Sequence, residues 1–239
     1  MSAKRRSSGA TALVMVLVVL AVLVGGLFLA DRYAVREVQE RAATQLQTEL
    51  GTPQPPQLTI EHFPFLTQVA AQSLRTVHLV ADGVGATNES EVVIAHTDLI
   101  LTDVVSQDRF ATMTVSHAEG TALLDYSELQ SLSTVPLAYV GGGRFQADTT
   151  TEVLSLPVQA KVTGGLALNA ADQTVSLSDP EVVVAGVTLP AAASDALLRA
   201  IVKPIPLTGI PFELRVDAID ARDDGLHADV SGDNIMLNR

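Results

Sequence analysis

The chain has 239 residues, 47% of them hydrophobic but only 4% aromatic, which suffices for one sizeable core and is too short for three ordinary domains. It contains no cysteine, and this excludes disulfides, thiolate metal centres, iron–sulfur clusters and a lipid-modified N-terminal cysteine. Beyond residue 30 it carries 12 basic against 27 acidic side chains, a net charge of −15 that repels phosphate backbones and argues against nucleic acid as a partner.

Residues 1–9 form a basic N-terminus with Lys4, Arg5 and Arg6, and residues 10–30 follow without a single charge. At 1.5 Å per residue such a helix covers about 30 Å, the hydrocarbon thickness of a bilayer. A signal peptide has the same order of charge and apolar run. Two features disfavour cleavage: the run exceeds the usual signal core, and Phe28-Leu29-Ala30 puts bulky residues where small ones are wanted. A buried core helix is the third reading, disfavoured because the run is apolar around its whole circumference. The basic cluster places the N-terminus in the cytoplasm and residues 31–239 outside the cytoplasmic membrane, as one exported domain on a single-pass signal anchor.

Residues 31–50 repeat apolar side chains every three to four positions at Val35, Val38, Ala42, Leu46 and Leu50, which predicts an amphipathic helix closed by Gly51 and Pro53. A proline-rich joint at 54–57 precedes a second predicted helix with a face of Phe65, Leu66, Val69, Ala70, Ser73 and Leu74. From Thr76 the period becomes two, in Val77, Leu79 and Ala81, then Met113, Val115 and His117, then Leu154 to Val162. Gly164-Gly165 and Asp223-Asp224-Gly225 read as hairpin loops, so pairing is antiparallel. Asp125-Tyr126-Ser127-Glu128 resembles a capping box for a short helix to Leu132, and residues 191–203 read as another helix with Leu197, Leu198, Ile201 and Val202 inward. The expected class is α+β and mostly β: either a packed sandwich or a curved antiparallel sheet that closes around something.

No catalytic motif is present. The five histidines, His62, His78, His96, His117 and His227, never stand at i, i+4 and have no cysteine partners, so no metal site is written in local spacing. There is no G-x-S-x-G, and Gly141-Gly142-Gly143 lacks the lysine of a phosphate loop, so a turn is the better reading. Asp223-Asp224 is ordinary turn chemistry rather than an acid–base pair, and Asn88-Glu89-Ser90 matches a glycosylation acceptor by chance as readily as by design. No enzyme activity, cofactor or metal is therefore expected. Abundant aliphatic surface suits a lipid carrier instead: two acyl chains expose some thirty methylenes at about 0.8 kcal/mol each in water, so a carrier must offer an apolar hollow.

Phe63-Pro64-Phe65-Leu66-Thr67-Gln68, Glu119-Gly120-Thr121-Ala122, Tyr126-Ser127-Glu128-Leu129, and Ile210-Pro211-Phe212-Glu213-Leu214-Arg215 with Asp224-Gly225-Leu226 occur in this order. Over about residues 32–239 the chain resembles the LmeA-like phospholipid-binding family of actinobacterial envelope proteins, with Ile210 where that family often has leucine. The resemblance implies a tubular, elongated β barrel with a tunnel, packed on a long helix. It also implies a phosphatidylinositol-type ligand, a role in lipoglycan mannan elongation, and envelope glycosyltransferases as candidate partners. Under it, Phe63, Phe65, Leu66, Val69, Leu197, Ile201, Phe212 and Leu214 are the candidate lining residues. Arg75, Arg144 and Arg215 are the headgroup candidates, because a guanidinium can grip a phosphate with two hydrogen bonds. The competing readings are a structural or adaptor ectodomain with a filled core, and an accessory enzyme with its own active site.

Overall fold

The computed structural model describes residues 8–87, 92–106, 112–132, 136–153, 156–184, 186–190, 204–207, 210, 212 and 214–238. The predicted helix at 191–203, with Leu197 and Ile201, and the Asn88-Glu89-Ser90 motif lie outside them.

Helix α1 (Ser8–Leu50) is a single element of 43 residues, about 65 Å long, so the apolar run and the amphipathic run are continuous through Gly25-Gly26. Side chains at 17–30 are exposed, and the most apolar window of this helix is only 11% buried, which overturns the core-helix reading. Beyond it, Asp31, Val35, Ala43 and Leu50 are buried with Leu46 packed beside them, while Val38 is 42% exposed. Val35, Leu46 and Leu50 thus lie on the predicted face, while Ala43 is buried in place of Ala42 and Val38 turns outward. A 3.6-residue period with alanine at both 42 and 43 does not say which of the two faces inward.

Twelve strands and three helices make up the described residues. β1 (Gln57–Ile60), β2 (Ser73–Val84), β3 (Ile94–Ser106), β4 (Thr112–Leu124), β11 (Arg215–Arg222) and β12 (Gly225–Asn238) form a first antiparallel sheet in the order β1-β2-β3-β4-β12-β11. β5 (Leu137–Gly141), β6 (Arg144–Val153), β7 (Leu156–Asn169), β8 (Thr174–Val184) and β10 (Ile205–Pro206) form a second in the order β10-β8-β7-β6-β5, with β9 (Val187–Thr188) on β8. Neither sheet closes, so the expected barrel is instead two open sheets joined end to end. The reason lies at the edge of the first sheet: β11 meets the β7–β8 turn, where the Gln173 side chain accepts from the Val216 N–H at 2.8 Å and donates to the Val216 carbonyl at 3.0 Å. Near the β11–β12 turn, Tyr126 stacks on Tyr139 and Phe145 stands edge-on to both, with the Tyr126 hydroxyl donating to the Arg222 carbonyl.

Asp223-Asp224 is the β11–β12 turn as predicted, and the glycine triplet turns β5 into β6 with φ of 93°, 61° and 71°. The short helix predicted after Asp125 is α3 (Tyr126–Leu132). Two boundaries differ. Helix α2 (Phe65–Ala70) stops early and Ser73 and Leu74 open β2, because Gln72 turns left-handed at φ 54°. Gly164-Gly165 is no hairpin loop but a bulge within β7; a Cβ on Gly164 would lie 2.7 Å from the Ser178 carbonyl oxygen, so the close crossing requires glycine.

Over residues 31–50 helix α1 is tied at one end to α2 and at the other to the turn after β2. The buried Asp31 carboxylate accepts the backbone N–H groups of Phe65 and Leu66 at 3.1 and 2.7 Å. At the other end the Gly85 N–H donates to the Leu50 carbonyl at 2.8 Å and the Thr87 N–H to Gly51 at 2.9 Å. Residues 31–50 therefore run from α2 to the turn after β2 and pack on α2 and β1. Replacing Asp31 by alanine leaves two N–H groups without their acceptor and should cost about 1–3 kcal/mol in urea unfolding, with asparagine costing less. Equal unfolding curves for D31A and the parent chain would show that the tie is not made.

Candidate functional site

The inner face of the first sheet is a ladder of apolar rows set by strand register. One row is Leu74, Val104, Val115 and Ile235, all buried. Beyond the row of Val77, Leu101, Ala118 and Gly232 comes that of Leu79, Leu99, Gly120, Val230 and Val216. Small residues hold the middle, with Ala118 fully buried and Gly120 so close to β3 that a Cβ would meet the Asp98 carbonyl oxygen at 2.0 Å. Helix α1 covers this face on one side, and Leu207, Ile210, Phe212 and Leu214 cover it on the other.

Between the two covers lies a cavity of about 20 Å³ against Leu50, Leu79, Val84, Ile94, Leu99, Phe212, Leu214 and Val230. That volume admits about one water. The apolar core continues past it: Ile219 joins the first cluster to one around Phe145, and Leu137 and Leu177 join that to a third around Val162. One greasy strip therefore extends along both sheets.

The outer face of the first sheet carries a larger open groove, about 530 Å³, whose walls include Asp98, His117, Glu119, Asp217 and Asp229. Four carboxylates in one groove repel an anionic headgroup. His78 pairs with Asp98 at 2.5 Å, His96 with Asp82 at 2.6 Å and His117 with Asp233 at 2.8 Å, which gives these strand histidines a cross-strand role. Among the described residues no three His, Asp or Glu side chains converge as metal ligands would.

The hydrogen bond to Asp233 holds the His117 pKa above its usual value, with Glu119 adding a smaller pull. A histidine whose folded pKa is raised contributes stability that is complete below its unfolded value and is lost as pH rises through the folded one. The stability gap between the parent chain and H117Q should accordingly be wider at about pH 5.5 than at about pH 8.5. A gap independent of pH would remove the pairing.

The candidate lining residues fall into two groups. Phe212 and Leu214 line the cavity. At the other end of the same cluster Phe65 is buried and Val69 is packed beside it, whereas Phe63 and Leu66 are exposed. Of the arginines, Arg75 is exposed, Arg144 donates to the Thr163 carbonyl at 3.3 Å, and Arg215 donates to the Ala170 carbonyl at 3.3 Å; none lines the cavity. Leu50, Leu79, Val84, Ile94 and Leu99 line the cavity without having been lining candidates, since periodicity marked Leu50 and Leu79 only as buried.

No curated protein and no solved structure matches the chain. A family model does, the LmeA-like phospholipid-binding one, over residues 29–231. That span holds α1 from Leu29 to Leu50, the row through Val230 and the motifs at 63–68 and 210–215, and with it the chain belongs to the LmeA-like phospholipid-binding family.

Proposed function

We propose that this chain is a membrane-anchored, extracytoplasmic phospholipid-binding protein that holds acyl chains against the inner face of its first sheet. The family match over residues 29–231 carries this reading. Phosphatidylinositol-type ligands, service to envelope lipid or lipoglycan metabolism, and envelope glycosyltransferases as partners rest on the family resemblance. Export and the anchor are supported by Lys4, Arg5 and Arg6 ahead of an apolar, exposed helical surface.

Because the cavity admits about one water, lipid entry requires the cover to move. The segment around Phe212 is suited to that. Among the described residues it joins the second sheet through the two residues of β10 and a bond from the Leu207 N–H to the Gln173 carbonyl, and Phe212 stands at φ 61°, a left-handed conformation that costs a bulky residue about 1–3 kcal/mol. Displacing Phe212 and Leu214 opens the rows beneath, and the transfer of acyl methylenes out of water offsets the lost packing. Extraction of the full chain from membranes followed by native mass spectrometry should find copurified phospholipid, with an inositol headgroup among the species. A chain that is lipid-free and takes up no added phospholipid would defeat the proposal.

The closed packing of the inner face favours a second reading, an adaptor ectodomain with a filled core. Substitution at Phe212, argued below, separates the two.

A further inference from the structure

Beyond α1 the described residues include seven exposed large apolar side chains, and four of them, Phe63, Leu66, Val105 and Met236, lie at one end of the first sheet. Register brings two of these together: Ser73 pairs with Val105, Val105 with Thr114, and Thr114 with Met236, so all four residues share a row and the outer face. Phe63 and Leu66 flank the same end, because α2 is held to Asp31 and runs directly into β2.

This end is also where the apolar run of α1 finishes. The Phe63 ring lies 5.3 Å from that of Phe28, and the Arg32 guanidinium sits over both rings at 5.4 and 5.7 Å. Leu29 and Tyr33 are 70% and 72% exposed next to them. The apolar surface of the helix thus continues without a break onto the domain, with an arginine and a tyrosine at the level where interfacial residues sit. Charge does not draw this end to anionic lipid, since Glu61 and Asp103 are exposed nearby and the exported part is strongly acidic. The contact it offers is apolar.

From this continuity we infer that the Phe63–Leu66 loop and the Val105–Met236 row insert into the outer leaflet beside the anchor, so that the domain stands on the bilayer with its first sheet upright. The inference rests on the anchor reading of α1. Residues 31–50 then rise about 30 Å from the membrane. The inner-face rows lead from the leaflet at Phe65 to the cavity at Leu50.

The absence of cysteine allows a single environment-sensitive fluorophore to be placed by L66C, M236C, V187C or V22C in the full chain, reconstituted in phosphatidylcholine–phosphatidylglycerol vesicles containing headgroup-region or acyl-chain nitroxide lipids. Labels at 66 and 236 should lose fluorescence to the headgroup-region quencher, the label at 22 to the acyl-chain quencher, and the label at 187, on the second sheet, to neither. If 22 is quenched while 66 and 236 behave like 187, the docking is wrong and the anchor stands. If 22 itself escapes quenching, the anchor reading fails and takes the docking with it. Positions 66 and 236 lie on separate elements, so misfolding of one variant leaves the other to decide.

Discussion

Truncating Phe65 to alanine should destabilise the fold beyond residue 30 by about 3–5 kcal/mol, a loss on the scale of a whole domain's margin. The ring is 3% exposed in the cluster that also holds Val35, Leu74 and Val77, and its own backbone N–H is bound to Asp31. A hole at this place cannot collapse cheaply, because the surrounding side chains stand on a helix and a sheet fastened together at both ends. Urea unfolding of the full chain in detergent is the measurement. The neighbouring Leu66, 42% exposed, supplies the internal comparison, and alanine there should shift the curve by no more than about 0.5 kcal/mol. Equal shifts for the two variants would mean that Phe65 is not part of the core.

The second large effect is on lipid. Phe212→Asp should abolish copurification of phospholipid and leave the unfolding curve nearly in place. A carboxylate cannot sit against acyl chains, so the ligand is expelled. The fold tolerates the change because Phe212 is only partly buried, and because its positive φ suits aspartate better than phenylalanine. Retention of lipid by F212D would remove Phe212 from the binding surface. Loss of stability comparable to that of Phe65→Ala would instead favour the filled-core adaptor.

The two phenylalanines were equivalent in the sequence, each an aromatic residue after a proline in a family-like motif. The structure separates them to opposite ends of one cluster, Phe65 at the Asp31 tie and Phe212 over the cavity near Leu50. A similar ambiguity misplaced the glycine pair. Two glycines between apolar alternations signal a turn, and the same pair serves a strand crossing where no Cβ fits; only the position of Ser178 on β8 decides between them. The early end of α2 has the same origin, since nothing in Ala71-Gln72 predicts that the chain turns left-handed there to join the sheet.

By itself the sequence determined the properties that local chemistry dictates: an uncharged run long enough to cross a bilayer, an acidic remainder without cysteine, period-two strands, the Asp-Asp-Gly turn, and the motifs that carry the family resemblance. Tertiary structure alone decided that the strands divide into two open sheets, that Phe63 and Leu66 are exposed where the apolar run of α1 ends, and that Phe212 and Leu214 line a water-sized cavity on the inner face. Periodicity reports that a side chain is buried. What lies opposite it depends on pairings between residues far apart in the chain, such as Gln173 with Val216 or Thr114 with Met236, and those are set by the register of whole strands.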